Sequence, residues 1–150
     1  MPAFQTVVVG TDGSDSSYRA VDKAAALAGD SGATLVIACA YHPASKDQVD
    51  SANDQLGSDV AYQVVGANPA EETVRTAAER ARKAGAGDVK TVVVDGEPVP
   101  TLLDVVRKHG ADLLVVGNRG LNTLAGRLLG SVPSEAARKS KVDVLIVHTT

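Results

Sequence analysis

Leu113-Leu114-Val115-Val116-Gly117-Asn118-Arg119-Gly120 decides the fold, read together with Gly130-Ser131 after nine intervening residues and with Val132-Pro133-Ser134-Glu135 beyond it. The four apolar residues make a buried strand. The glycine-rich stretch ends that strand, and a helical segment starts at Val132. A strand that passes through glycines into a helix N-terminus is an arrangement that holds phosphate. Glycine lets the backbone turn tightly and come close to an anion. The helix end adds unpaired N–H groups and about half a unit of positive charge. The pattern points to an α/β protein whose ligand is a nucleotide or another phosphorylated molecule.

The same alternation runs outward in both directions. Thr6-Val7-Val8-Val9 is a β-branched strand closed by Gly10. From Ser14 to Ala28, apolar residues at Ala20, Val21, Ala24, Ala25 and Ala28 keep the helical period, with Gly29 as the stop. Thr34 to Ala40 reads as a second strand. Asn68-Pro69-Ala70-Glu71 starts a helix with Asn as cap and Pro in the first turn, and Gly85 closes it. Val89 to Val94 is strand three, Pro100 to Lys108 is helix three before Gly110, and Leu113 to Val116 is strand four. Val132 to Lys139 is helix four, and Val142 to Val147 is strand five. Strands without polar alternation are buried on both faces, as in a parallel sheet. Right-handed crossovers then give a doubly wound five-stranded α/β sandwich. Residues 1–150 read as one domain, without linker or internal repeat. Tyr41 to Ala67 alone is polar, aperiodic and long, and reads either as a solvated excursion or as a contact to the ligand.

Composition narrows the function. The formal net charge is −3, and nucleic-acid binding needs a basic face. Aromatics are 3%, too few for a reader that stacks on bases. Cys39 is the single cysteine, so neither an intrachain disulfide nor a thiolate metal cluster forms. The apolar runs are far shorter than a bilayer span, and no leader pattern precedes the first strand. The expectation is a cytoplasmic protein that engages neither membrane nor nucleic acid.

Strands one and four both end in Val-Val-Gly. In a doubly wound sheet, ligands sit beyond the carboxyl ends of the strands, where the winding reverses. With strands one and four adjacent there, Gly10 and Gly117 line one crevice, and Thr11-Asp12-Gly13-Ser14 borders it. Asp12 reads as an acceptor for an adenine amine or ribose hydroxyl, or else as a residue that stabilises the turn. Ser131 reads as a helix cap, as a phosphate donor, or as both. Arg119 and Arg127 are candidates for neutralising phosphate. No lysine lies between Gly117 and Ser131, which leaves phosphate to backbone N–H groups and hydroxyls.

Gly117-x2-Gly120-x9-Gly130-Ser131 resembles the nucleotide-binding signature of the universal stress protein family. Val7-Val8-Val9-Gly10-Thr11-Asp12-Gly13-Ser14 is similar to that family's first strand and loop. Leu128-Leu129-Gly130-Ser131-Val132 resembles its second phosphate-loop half, and Val142 to Val147 its last strand. The resemblance covers the whole chain and extends to small actinobacterial members, some of which bind cyclic AMP. It implies strand order 3-2-1-4-5 and an adenine nucleotide as ligand, either cyclic AMP or ATP, the latter with Mg. It implies that Gly10, Thr11 and Asp12 face the adenosine and that Ala40 touches the adenine. Gly117, Gly120, Gly130, Ser131 and Val132, with Asn118 and Arg119 inside the same signature, are implied around ribose and phosphates. It also implies a homodimer through the last strand, Val142 to His148.

Hydrolysis requires a positioned water, a base and usually a metal. Asp12, Asp15, Glu97, His42, His109 and His148 are the candidates, and no pair has a spacing that demands acid–base work. His109 ends a helix, where a cation is favoured. The expectation is a regulatory or nucleotide-buffering binder with at most slow ATP hydrolysis. The alternative is an enzyme: Asp12-Gly13-Ser14-Asp15-Ser16 faintly resembles the loop of ATP pyrophosphatases, which adenylate a substrate. A flavin carrier and an interaction module with a vestigial pocket are further readings.

Overall fold

The computed structural model describes residues 3–41, 67–118 and 131–149. Strands β1 (Thr6–Gly10), β2 (Thr34–Tyr41), β3 (Asp88–Asp95), β4 (Leu113–Gly117) and β5 (Asp143–Val147) form one sheet in the order β3-β2-β1-β4-β5. Every pairing between neighbours is parallel. Helices α1 (Asp15–Ser31), α2 (Ala67–Lys83), α3 (Pro98–His109) and α4 (Ser131–Lys139) connect them. The expected class and strand order are therefore the ones observed.

Unbroken apolar runs build the three central strands of this sheet, where both faces are covered. Val7, Val9, Leu35, Ile37, Leu113 and Val115 point to the α1/α2 layer, which packs Ala20, Val21, Ala24 and Ala25 of α1 and Val74, Ala77 and Ala81 of α2 against them. Val8, Val36, Leu114 and Val116 point the other way, toward Leu102, Val105 and Val106 of α3 and Ala136 of α4. Period-two alternation thus divides the core between two layers. Small alanines on α1 and α2 let the helices sit close to the strands without aromatic filler. Arg80 of α2 donates to both carboxylate oxygens of Asp22 on α1, at 3.2 and 2.6 Å, and lies 5.1 Å from the centre of the Tyr18 ring.

Helix ends follow local chemistry, with departures from expectation; α4, for one, already includes Ser131, the candidate cap. Ser14 caps α1 by accepting from the Ser17 N–H. Gly29 does not stop that helix. It runs to Ser31, and Gly32 closes it in the left-handed conformation at φ 65°, with the Ala33 N–H bonded to the Ala28 carbonyl at 2.8 Å. α2 already includes Ala67, so Asn68 lies inside the helix rather than before it. α3 starts at Pro98, two residues before Pro100, because a proline is tolerated in the first turn, where the N–H has no helical partner.

At the amino-terminal edge of the sheet, Asp112 fixes β1 to β4. Its carboxylate accepts from the Gln5 N–H at 3.2 and 3.0 Å and from the Thr6 N–H at 3.1 Å, while its own N–H donates to the Thr6 carbonyl at 3.0 Å. Asp112→Ala is expected to lower unfolding free energy by about 1–2 kcal/mol, the worth of partly exposed charged hydrogen bonds. Urea denaturation of the variant checks this, and an unchanged midpoint would refute it.

Candidate functional site

The ladder between β1 and β4 runs from Val7–Leu113 to Val9–Val115. Beyond it the two halves of the sheet continue apart. Gly10 stays with Ala38 of β2, and Gly117 stays with Val147 of β5. A cleft with about 460 Å³ of empty space opens at this divergence. Gly10, Thr11, Asp12 and Ser17 form one wall, and Val116, Gly117 and Val132 form the other. Ala38 and Ala40 of β2, with Pro98 and Leu102 of α3, give it an apolar side.

The polar wall is held by its own hydroxyls. The Ser17 hydroxyl donates to the Ser14 carbonyl at 2.9 Å, so its contact with the Thr11 hydroxyl at 2.8 Å has Thr11 as donor. Thr11 Oγ1 also accepts from the Gly13 N–H at 3.2 Å, and Ser17 Oγ accepts from the Asp12 N–H at 3.3 Å. Asp12 Oδ1 accepts from the Ser14 N–H and hydroxyl at 2.9 and 2.6 Å. Asp12 therefore stabilises the turn with one carboxylate oxygen and also borders the cleft. Gly13 does not line the cleft. It has φ 84°, and a Cβ there would stand 2.9 Å from Thr73 Oγ1 of α2.

Six of the residues singled out from sequence meet at the cleft: Gly10, Thr11, Asp12, Ala40, Gly117 and Val132. The Asn118 side chain is engaged elsewhere, with His148 and Thr149. Ser131 opens α4, but its side chain lies outside the description, as do residues Arg119, Gly120, Arg127, Gly130 and His42.

A model of the universal stress protein family matches residues 3–148. The chain belongs to the universal stress protein family. Universal stress protein Rv1636 of Mycobacterium tuberculosis H37Rv is 55% identical over 150 residues, covering 100% of both chains. Universal stress protein YxiE of Bacillus subtilis is 30% identical, covering 97% of this chain and 99% of its own. A crystal structure of a universal stress protein in complex with cAMP superposes with a TM-score of 0.77 at 50% identity, covering 99% of each chain.

Five lining residues of this universal stress protein escaped the sequence reading as site residues: Ser17, Ala38, Pro98, Leu102 and Val116, the last read only as part of a strand. The signal for Ser17 was its place three residues after the Ser14 cap, where a hydroxyl returns to the preceding loop. Cys39 is buried beside the cleft, and burial, with a smaller push from the Asp12 carboxylate, raises its thiol to about 11. It therefore stays protonated at neutral pH and is no nucleophile. His109 donates from Nδ1 to the Val105 carbonyl at 3.1 Å, the place of a residue finishing a helix. Asp15 stands in the first turn of α1, where a carboxylate complements the helix dipole, and Glu97 is the residue before α3. Among the described residues, no group of three or more His, Cys, Asp or Glu stands together to hold a metal, and no helix is long and apolar enough to cross a membrane.

Proposed function

We propose that this universal stress protein binds an adenine nucleotide in the cleft between β1 and β4 and acts as a regulatory or buffering protein rather than as a turnover enzyme. The carrying observation is the cleft itself, which opens where the β1–β4 ladder ends, with a glycine on each wall, a hydroxyl-rich loop on one side and small apolar residues on the other. Ala38, Ala40 and Leu102 take the flat base by apolar contact, and Asp12 accepts from a base amine or ribose hydroxyl. Gly117 and Val132, with the amino-terminal end of α4, lie toward ribose and phosphate. Gly120, Gly130 and Ser131 join them by the signature, with Asn118, Arg119 and Arg127 in the same stretch. Support also comes from the relative at 50% identity crystallised with cAMP.

Among the described lining residues there is no lysine or arginine. Cyclic AMP is the favoured ligand over ATP, on the strength of the relative at 50% identity crystallised with cAMP. Magnesium in the ATP case is carried by the triphosphate, since the described residues bring together no metal-binding group. The outermost strand β5, with Val144, Leu145 and Ile146 half-buried, is the surface through which two copies pair. The cytoplasm is the compartment that supplies these nucleotides.

Isothermal titration of nucleotide-stripped protein with cyclic AMP and with Mg-ATP tests the assignment. The expected result is saturable binding, tighter for cyclic AMP. Binding of neither refutes it. Asp12→Asn keeps the Oδ1 acceptor for Ser14 but turns the other carboxylate oxygen into an NH2 donor, so it is expected to weaken binding about threefold to tenfold, one hydrogen bond's worth. Asp12→Ala also frees the turn and should weaken it further. Equal affinities for the two variants would show that the turn does not matter to the ligand.

A further inference from the structure

Thr149, beyond β5, is polar, yet only 3% exposed. Its N–H and its hydroxyl both donate to Asn118 Oδ1, at 2.9 and 2.8 Å. Because the threonine hydrogen is used there, the 2.5 Å contact between Ser16 Oγ and Thr149 Oγ1 has Ser16 as donor. Arg19 Nη1 donates to the Thr149 carbonyl at 2.5 Å. Ser16 and Arg19 lie one turn apart on the same face of α1. Asn118 immediately follows Gly117, and its own N–H donates to the Val147 carbonyl at 2.8 Å. Two donors at Oδ1 fix the amide's orientation, and Nδ2 then donates to His148 Nδ1 at 3.2 Å.

These bonds join exactly what the sheet leaves unjoined. The β1–β4 ladder stops at Val9–Val115, and the cleft opens beyond it. One wall is carried by β1 and the start of α1, where Ser17 faces the cleft. The other is carried by the end of β4. Thr149 is bonded to α1 on one side and to Asn118, next to Gly117, on the other. It spans the gap at the point where backbone pairing has ended.

We propose that Thr149 is a positioning residue for the nucleotide site: it ties the Gly117–Asn118 exit of β4 to the first turns of α1 and so sets the width of the cleft without touching the ligand. This rests on the nucleotide reading of that cleft. A tie of this kind raises the fraction of molecules whose walls stand at binding distance, and apparent affinity scales with that fraction. Thr149→Val keeps the buried shape and removes the hydroxyl that links Ser16 to Asn118. Thr149→Ser restores the link.

Cyclic AMP and Mg-ATP are titrated into the full chain carrying each substitution, with thermal midpoints measured on the nucleotide-free proteins. The expected result is a rise in Kd of about fivefold or more for Thr149→Val. Thr149→Ser should bind within about twofold of the unaltered protein, and the midpoints should stay within about 2 °C of it. Arg19→Met, a change at an exposed side chain, loosens the same tie from the α1 side and should raise Kd in the same direction. Unaltered affinity in Thr149→Val overturns the proposal. So does a loss that follows the thermal midpoint and that serine fails to restore, since that is the behaviour of ordinary packing. If the unaltered protein binds neither nucleotide, the reading of the cleft falls, and this assignment falls with it.

Discussion

Replacing Ala40 by phenylalanine is expected to cost the protein its adenine nucleotide while leaving the fold in place. Ala38 and Ala40 lie two apart on β2 and share the face that carries Val36 and packs toward Leu102 of α3. Ala38 is 1% exposed, whereas Ala40 is half-buried and borders the cleft. A side chain grown from Ala40 therefore enters space rather than packed atoms. A phenyl ring brings about 150–250 Å² of surface into the region assigned to the base. Affinity for cyclic AMP should fall by about a hundredfold or more, roughly 2.7 kcal/mol. The nucleotide-free thermal midpoint should move by no more than about 2 °C. Titration and calorimetry on the same preparation check both halves. A folded variant that binds as tightly as the unaltered protein would move the base out of this cleft.

The second large effect is on stability, at Gly29. Alanine is ordinarily the better helix former, by about 1 kcal/mol. Here α1 passes the Gly85 turn so closely that a Cβ on Gly29 would stand 2.4 Å from the Gly85 carbonyl oxygen and 2.9 Å from its carbon. Both are backbone atoms, so relief requires the helix or the turn after α2 to move. Gly29→Ala should lose about 2–3 kcal/mol, as overpacked sites do, and about 5–10 °C of thermal midpoint. Gly87→Ala is the control, because a Cβ there meets nothing within 4 Å. Equal midpoints for the two variants would show that the close approach has no energetic weight.

Gly29 also shows what the sequence conceals. A glycine after a periodic apolar run reads as a helix stop, and Gly32 is the actual stop. Gly29 is small because of a neighbour far along the chain, and local pattern carries no trace of such a neighbour. Pro100 was read as a helix start for a related reason: two prolines flank Val99, and either fits a first turn. The strands were legible because burial on both faces leaves unbroken apolar runs, from Val7 to Val9 and from Leu113 to Val116. On the site, Gly10, Asp12 and Gly117 were legible because strand ends and turns demand those residue types. Leu102 was not, since a leucine on the buried face of a helix looks the same whether it meets a core or a cleft. Asn118, which the signature placed with the ligand, bonds through its side chain to Thr149 and His148, a contact the signature does not reveal.

The order in which the chain is synthesised bears on the tie at Thr149. Thr149 reaches Ser16 across 133 positions and Arg19 across 130, while Gln5 meets Asp112 across 107. β1 can pair with β2 early, but its other neighbour, β4, arrives only after about three-quarters of the sequence has emerged from a ribosome. Contacts so distant along the chain are late and slow to form. A nascent chain lacking its last strand thus carries every described lining residue of the cleft but not the Thr149 tie between its walls. Nucleotide bound by mass action then favours molecules in which the first helix and the residues beyond β5 have already met. Occupancy becomes a mark of completed folding, and the cell's nucleotide pool rewards finished molecules over partial ones.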